Sequence, residues 1–482
     1  MRPAPRWSRA LLLDAFSERR VAVGANVALL TVLALRAVRE PLGDPDAWWI
    51  AAAGRELLAT RRVPAANAWS SAHPHDPWVF HEWLLSPLYA IAARHGGSAL
   101  LALLGVLAGL GTAAALLVTH RRAGVRDDTA AWTVFVALLA LQSSAVSPRP
   151  GYALLALPLL TLALTRAARF TPAVIAALVA LTAVWSNAHG SFPLAVLLVG
   201  ASVLSAPAAE RWRRAGTLAL CALTTLLNPF GADLHRLVLR YLVGGDPMAA
   251  VLRAEVLEFQ PVWRWPAPFA NPWVVAVNLG VAALAAHALR VRARRVDATL
   301  ALLLGALGVM QARHLALAAV VGLALLAPHL EGLRVERPRW SLPAIPALFA
   351  VPALLAALLA AGTPRDHVAH GVGGAALPAL AQDLRAPRAW VPFDATGWFL
   401  WSARARSDAR LLFDARNDCH RAEVARDALA LERAQGDLCR VVAARSLDVV
   451  LAPADHPTLR GVLRCPGWRV TGAAGGWVRA AR

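Results

Sequence analysis

Apolar residues in this chain come in blocks of helix length, separated by short polar stretches. Crossing the hydrocarbon core of a bilayer takes roughly 20 apolar residues in a helix. Blocks of that kind fall at 21–38, 97–119, 129–147, 151–165, 172–187, 191–207, 215–228, 272–289, 297–311, 314–330 and 342–362. They predict a mainly α, polytopic helical membrane protein with about 11 spans. The segment 81–95 is apolar but shorter, and reads as a helix that lies at the interface or re-enters the membrane.

Arginine positions test that count independently. The N-terminus carries Arg2, Arg6, Arg9, Arg19 and Arg20, which places it in the cytoplasm by the positive-inside rule. Every second loop is short and basic: Arg121, Arg122 and Arg126; Arg166 and Arg169; Arg211, Arg213 and Arg214; Arg290, Arg292, Arg294 and Arg295; Arg334, Arg337 and Arg339. The intervening loops, 44–82, 147–150, 187–190, 228–271 and 311–314, hold few basic residues for their total length, apart from a cluster near Arg55, Arg61 and Arg62. Omitting one span would scramble this alternation, so the number of spans is odd and the C-terminal tail lies outside. No cleavage pattern follows the first apolar block, which reads as the first span.

From about Thr363 the chain changes character, with frequent charges and short apolar runs. The segments 390–393, 410–413 and 447–451 read as buried strands, and 423–435 as a helix. The expected organisation is a transmembrane domain over 1–362, with a first outer loop at 39–96, followed by a small extracytoplasmic α/β domain over 363–482.

Composition agrees with a membrane protein. The chain is 58% hydrophobic and 16% charged, with a mean hydropathy of +0.50, more apolar and less charged than soluble domains. The formal net charge of +19 is carried by arginine in runs between apolar blocks. That placement sets topology and gives no support to nucleic-acid binding. Cys221 sits in an apolar block, while Cys419, Cys439 and Cys465 lie in the tail. No CxxC pair supports a zinc site, and an extracytoplasmic tail permits one disulfide with one thiol left over.

Chemistry-bearing residues gather on the outer side. The first outer loop holds Asp44-Pro45-Asp46-Ala47-Trp48-Trp49 and His81-Glu82-Trp83. Carboxylates beside a span suit general-base or metal-ligand work on a substrate presented at the lipid surface. Asp44 before Pro45 equally suits a helix N-cap, and Asp46 a first-turn residue complementing the dipole. Glu82 also reads as a solvated interface residue. Trp48, Trp49, Trp69, Trp78 and Trp83 read as an interfacial anchoring belt. Arg149, Asn187, His189, Glu258 and Arg313 recur at outer span ends. Either arginine would bind a phosphate bidentately, or snorkel at the bilayer edge. A lone His189 is more often a structural hydrogen bonder than a ligand.

At these residues the chain resembles bacterial membrane proteins of the GT-C glycosyltransferase superfamily, relatives of the protein O-mannosyltransferases and lipid A aminoarabinose transferases. The resemblance rests on Asp44-x-Asp46-x-Trp48-Trp49, Gly54-Arg55, Pro64, Ser70, Pro77-Trp78 and His81-Glu82-Trp83. It continues through Arg149-Pro150, Asn187-Ala188-His189-Gly190, Asn228-Pro229-Phe230-Gly231 and Arg313, and in the tail through Gly397-Trp398-Phe399-Leu400-Trp401 and Phe413-Asp414-Ala415-Arg416. It implies transfer of a sugar from a polyprenyl-phosphate donor to a glycan, lipid or protein acceptor, on the outer face of a bacterial inner membrane. Asp44 or Asp46 would be the base or a ligand of a divalent cation, with Glu82 as a further catalytic carboxylate. Arg149 or Arg313 would hold the donor phosphate, and His81, Asn187, His189 and Glu258 would complete the substrate site. A non-catalytic scaffold of the same fold is the main alternative. A transporter ranks lower, because its polar groups would lie at the midplane in repeated halves.

Overall fold

The computed structural model describes residues 19–40, 42–243, 245–264, 272–332, 345–362 and 372–482. Arg2, Arg6, Arg9, Arg334, Arg337, Arg339 and the first residues of the 342–362 block lie outside them.

Helices form wherever the apolar blocks predict them. They are α1 (Arg19–Arg39), α2 (Pro45–Thr60), α3 (Ser86–Arg122), α4 (Asp127–Leu141), α5 (Ala156–Thr165), α6 (Pro172–Ala188), α7 (Pro193–Leu204), α8 (Ala208–Thr224), α9 (Ala232–Val243), α10 (Pro247–Glu255), α11 (Pro272–Ala288), α12 (Arg295–Met310), α13 (Leu315–Gly332) and α14 (Ile345–Gly362). Leu30, Val106, Val134, Leu159, Leu198, Leu304 and Val320 from seven of these helices share one core. Two threonines of the bundle return their hydroxyls to the preceding turn, which satisfies them without water. Thr119 Oγ1 donates to the Ala115 carbonyl at 2.7 Å and Thr182 Oγ1 to the Leu178 carbonyl at 2.8 Å.

By length and composition, three helices among the described residues could each cross a bilayer, within 22–39, 86–122 and 312–331, and the other apolar helices are shorter. The 81–95 segment does not form a separate element. Its second half opens α3 and runs into the next block through a break at Gly97, where φ is +60°. Positive φ is easy only for glycine, so the bend falls there. The 151–165 block divides into a helical turn at Pro150–Ala153 and α5. The 215–228 block starts earlier than hydropathy suggests, because α8 takes Arg211, Arg213 and Arg214 into its first turns. Outer loop 228–271 contains two helices, α9 and α10, that its polarity did not reveal.

The tail folds around a mixed five-stranded sheet of order β2-β1-β3-β5-β4. β1 (Arg388–Trp390) runs parallel to β2 (Arg410–Leu411) and β3 (Val449–Pro453); β2 and β3 overlap the expected segments 410–413 and 447–451, whereas β1 ends where the expected 390–393 begins. The hairpin of β4 (Arg469–Ala474) and β5 (Trp477–Ala481) adds two antiparallel strands. α15 (Ala376–Ala381), α16 (Thr396–Ser402), α17 (Ala422–Glu432), α18 (Leu438–Ala444) and α19 (Pro457–Val462) complete it. Cys439 and Cys465 form a disulfide, leaving Cys419 as the spare tail thiol, which is buried.

The first outer loop and the tail are one packed body. Leu411 N donates to the Trp69 carbonyl and Ser71 N to the Leu411 carbonyl, both at 2.8 Å, so the loop adds an edge to β2. Arg55 donates to the Trp401 and Leu400 carbonyls at 2.7 and 3.1 Å and lies over the Trp401 ring. This corrects the belt reading of the tryptophans. Trp48, Trp49, Trp69 and Trp78 are 5% exposed or less and pack against Trp398, Phe399 and Leu411 of the tail. Burying indoles against matching apolar surface removes more area from water than leaving them at an interface.

The closest approach in this joint is at Gly397, where a Cβ would sit 2.0 Å from the Pro45 carbonyl oxygen. Both atoms belong to backbone, so Gly397→Ala should push α16 off the start of α2 and cost roughly 1–3 kcal/mol. Faster proteolysis of the tail in the variant would show this; wild-type resistance would contradict it. Opening the Cys439–Cys465 link closes a separation of 26 residues less tightly and should cost the tail about 3 kcal/mol. The midpoint of tail unfolding in Cys439→Ser/Cys465→Ser checks that figure.

Candidate functional site

Asp44 ends the extended entry to α2, and its carboxylate accepts from the Asp46 amide at 2.9 Å, with Pro45 as the first helical residue. The N-cap contact therefore forms. Two residues on, about half a helical turn, Asp46 points away from the cap and lines a cavity of about 270 Å³, which Asp44 does not line. Arg149 lies on the far side of Asp46. Its Nε contacts Asp46 Oδ2 at 2.8 Å, and its two terminal nitrogens reach both oxygens of Glu258 at 2.7 and 3.1 Å. Trp49 Nε1 donates to the other Asp46 oxygen at 3.0 Å.

A second group faces them. His81 Nε2 is 3.7 Å from Glu82, and His81 Nδ1 is 3.6 Å from Asp418 of the tail. Those distances are ion pairing without hydrogen bonds. Glu82 Oε2, His81 Nδ1 and Asp418 Oδ2 are accordingly buried with no hydrogen-bond partner, and all three residues line the cavity. Buried polar atoms seldom stay unpaired, so such a trio is a place where a polar substrate group is expected. His189 completes the wall, with its ring 5.9 Å from that of His81 and its Nδ1 2.8 Å from Ser191 Oγ.

Electrostatics divide these groups. Burial raises Glu82, Asp46 and Asp418 push the same way, and His81 with Arg149 only partly offset them, so Glu82 reaches about 7. Burial likewise raises Asp44 to about 7, with Asp46 adding to it and Arg149 opposing. Burial pulls the His81 imidazole down, but Glu82 and Asp418 outweigh it and lift His81 to about 9. Burial also acts to raise Glu258, yet Arg149 and Arg313 hold it below the ordinary range. Burial and the charge on His81 keep His189 well below its usual value, hence neutral.

Of the remaining expected residues, Arg313 lines the cavity with its guanidinium 4.4 Å from the Phe259 ring centre, and has no carboxylate at salt-bridge distance among the described residues. Asn187 stands behind the wall, accepting from Trp83 Nε1 at 2.9 Å and donating to the Leu227 carbonyl at 2.9 Å. The contributors that went unanticipated are Asp418 and two lining phenols, Tyr152 and Tyr241. Asp418 had a signal, since 414–420 is a dense run of polar side chains. Among the described residues, the cavity carboxylates do not bring three ligand atoms within reach of one ion, whereas Asp414, Cys419 and His420 do. That second group suits a metal poorly, because Asp414 already pairs with Arg416 at 2.7 Å.

No family model and no curated protein sequence matches the chain. Solved structures do. ArnT from Cupriavidus metallidurans bound to undecaprenyl phosphate matches with a TM-score of 0.53 and 17% identity, over 95% of this chain and 97% of that one. The oligosaccharyltransferase of Archaeoglobus fulgidus in the apo form matches with a TM-score of 0.54 and 12% identity, over 93% of this chain and 70% of that one. The same enzyme tethered to an acceptor peptide gives 0.52 and 10%, over 89% and 69%. The chain thus shares its overall fold with these proteins, a bundle of apolar helices carrying a small C-terminal mixed-sheet domain.

The tail reaches the cavity through Arg416, which is fully buried beside the loop residue Asn67, with 2.8 Å between Arg416 Nη2 and Asn67 Oδ1. Arg416→Met should leave Asp414 buried without its partner and cost about 3–5 kcal/mol. The double variant Arg416→Met/Asp414→Leu should recover much of that loss. Thermal unfolding of both proteins tests this, and equal destabilisation by the two would contradict it.

Proposed function

We propose that the chain is a membrane glycosyltransferase that moves a sugar from a polyprenyl-phosphate donor to an envelope acceptor, at the outer face of a bacterial inner membrane. The observation carrying this reading is the cavity wall in which Arg149 is clamped by Asp46 and Glu258, opposite Glu82, His81 and Asp418, each of which keeps a buried atom with no hydrogen-bond partner. The fold likeness to a protein bound to undecaprenyl phosphate supports the lipid-linked donor. The Cys439–Cys465 disulfide supports an oxidising, extracytoplasmic location for the tail.

In this reading the acceptor hydroxyl lies between the two walls. Its oxygen attacks the anomeric carbon, the bond from that carbon to the phosphate oxygen breaks, and polyprenyl phosphate leaves. Glu82 receives the hydroxyl proton. It lines the cavity, has an oxygen with no partner, and sits near neutral proton affinity, which suits a general base. Both oxygens of Asp46 are engaged by Trp49 and Arg149, so Asp46 orients the acceptor and fixes the local field. Asp44 holds the start of α2 in place. Arg313, with no carboxylate at salt-bridge distance among the described residues, takes the phosphate and the charge developing on it. Arg149, already paired twice, organises carboxylates instead.

Cells lacking the chain and complemented by variants supply the test, read as envelope glycan and glycolipid profiles. Glu82→Gln and Asp46→Asn should each lower formation of the affected glycan by at least about 100-fold. Asp44→Asn should stay close to wild type, because asparagine caps a helix as well as aspartate. Wild-type profiles from both Glu82→Gln and Asp46→Asn would remove the assignment. Activity should also rise with pH through about 7, as Glu82 loses its proton in the field of His81, Asp46, Asp418 and Arg149. Below that value the base is protonated and transfer falls. Glu82→Asp should move this limb along the pH axis, and an unmoved limb would exclude Glu82 as the base.

A further inference from the structure

A second cavity lies at the other end of the bundle. Leu155 and Pro158 near the start of α5 line the outer cavity, whereas Thr165 at its end lines this one. α12 repeats the arrangement, with Arg294 and Asp297 at its start here and Gln311, just past its end, in the outer cavity. Sixteen residues of helix separate the two sites by about 24 Å. The volume is about 420 Å³, and the lining carries Arg122, Arg166, Arg214 and Arg294 against a single carboxylate, Asp297.

Two of these guanidiniums are held rigidly by carbonyls and form no salt bridge among the described residues, although the field of Asp297 reaches Arg166 and that of Glu210 reaches Arg214. Arg166 donates to the Thr119 carbonyl at 3.2 Å and to the Ala324 carbonyl at 2.8 Å. Arg214 is only 7% exposed, lies 4.5 Å from the Phe170 ring centre, and donates to the carbonyls of Thr165 at 3.1 Å, Ser202 at 3.3 Å and Ala167 at 2.9 Å. Carbonyls orient an arginine without cancelling its charge. The Arg214 Nε–H is buried with no partner at all. Glu210 lies in the neighbourhood, but its Oε2 accepts from the Phe170 amide at 3.1 Å, and it forms no salt bridge with Arg214 among the described residues. Charges at the edge of a membrane domain are expensive unless something answers them.

We propose that this cavity is a second anion site, distinct from the outer one, which binds a phosphate group. Guanidinium forks match phosphate oxygens in geometry as well as charge. A basic pocket between helices on the arginine-rich side of a membrane protein fits the headgroup of an anionic phospholipid. Inorganic phosphate shares the same recognition chemistry, and the two sources separate experimentally.

Purified full-length protein is reconstituted into nanodiscs of phosphatidylglycerol or of phosphatidylcholine, and lipids retained after detergent extraction are counted by native mass spectrometry. Inorganic phosphate is titrated separately against thermal unfolding of the delipidated protein. Retention of one phosphatidylglycerol, at least about tenfold weaker in Arg166→Gln and unchanged in Arg211→Gln outside the cavity, is the expected result. Saturable protection by phosphate with no lipid preference, lost in the same variants, establishes the anion site with phosphate as its occupant. Arg166 also holds carbonyls, so Arg122→Gln/Arg294→Gln serves as a second variant, since neither side chain bonds to the fold among the described residues. Equal retention of both lipids together with no effect of phosphate overturns the proposal, and so does an Arg211→Gln loss as large as that in the cavity variants.

Discussion

The guanidinium of Arg416 has no exposure to solvent, and arginine cannot escape burial by losing its proton. Its surroundings must answer that charge, and they come from both ends of the chain. Asp414 binds it twice, Asn67 accepts from it, and the faces of Trp69 and Trp78 lie 4.3 and 4.6 Å from it. Burial opposes ionisation of Asp414, but Arg416 and His420 overcome that and hold its carboxyl far below the ordinary range. A pair of this kind adds little stability over an apolar replacement, yet losing one partner is severe. Its effect is to fix register: only one placement of the tail on the first outer loop satisfies Arg416, and that placement carries Asp418 to His81.

The same logic of answered and unanswered charge separates the two ends of the bundle. In the outer cavity Arg149 is neutralised by Asp46 and Glu258, whereas Glu82, His81 and Asp418 retain unpartnered atoms. The site is organised by a guanidinium and left open at its carboxylates, which suits an acceptor hydroxyl. At the opposite end the arginines are fixed by carbonyls and outnumber the one carboxylate that lines the cavity with them, which suits an anion. One scaffold of apolar helices thus presents complementary chemistry at its two faces.

Much of this was legible in the residue order. Helix-length apolar blocks, arginine alternation and a change of composition near Thr363 anticipate the helices and the mixed-sheet tail, because hydropathy and turn chemistry are local properties. The cap at Asp44 was legible for the same reason. Contacts that join distant segments were not. Nothing near Trp48 announces that Trp398 will stack edge-on against it at 4.6 Å, so an indole bound for the core reads like one bound for the interface. Arg149 suits a phosphate by residue type, and nothing in its neighbourhood announces that Glu258, 109 positions away, will pair with it. The amphipathic α9 and α10 were hidden in a loop because they are too polar for a hydropathy search.

The central claim, that the outer cavity receives a polyprenyl phosphate, is tested most directly by photocrosslinking. A photoreactive polyprenyl phosphate would be bound to the purified full-length protein and the labelled residues mapped by mass spectrometry, in wild type and in Arg313→Gln. The account predicts labelling on cavity segments such as those around Tyr152 and Tyr241, with competition by unlabelled polyprenyl phosphate and a clear loss in the variant. Labelling scattered over lipid-facing helices, or undiminished by Arg313→Gln and by competitor, would contradict it.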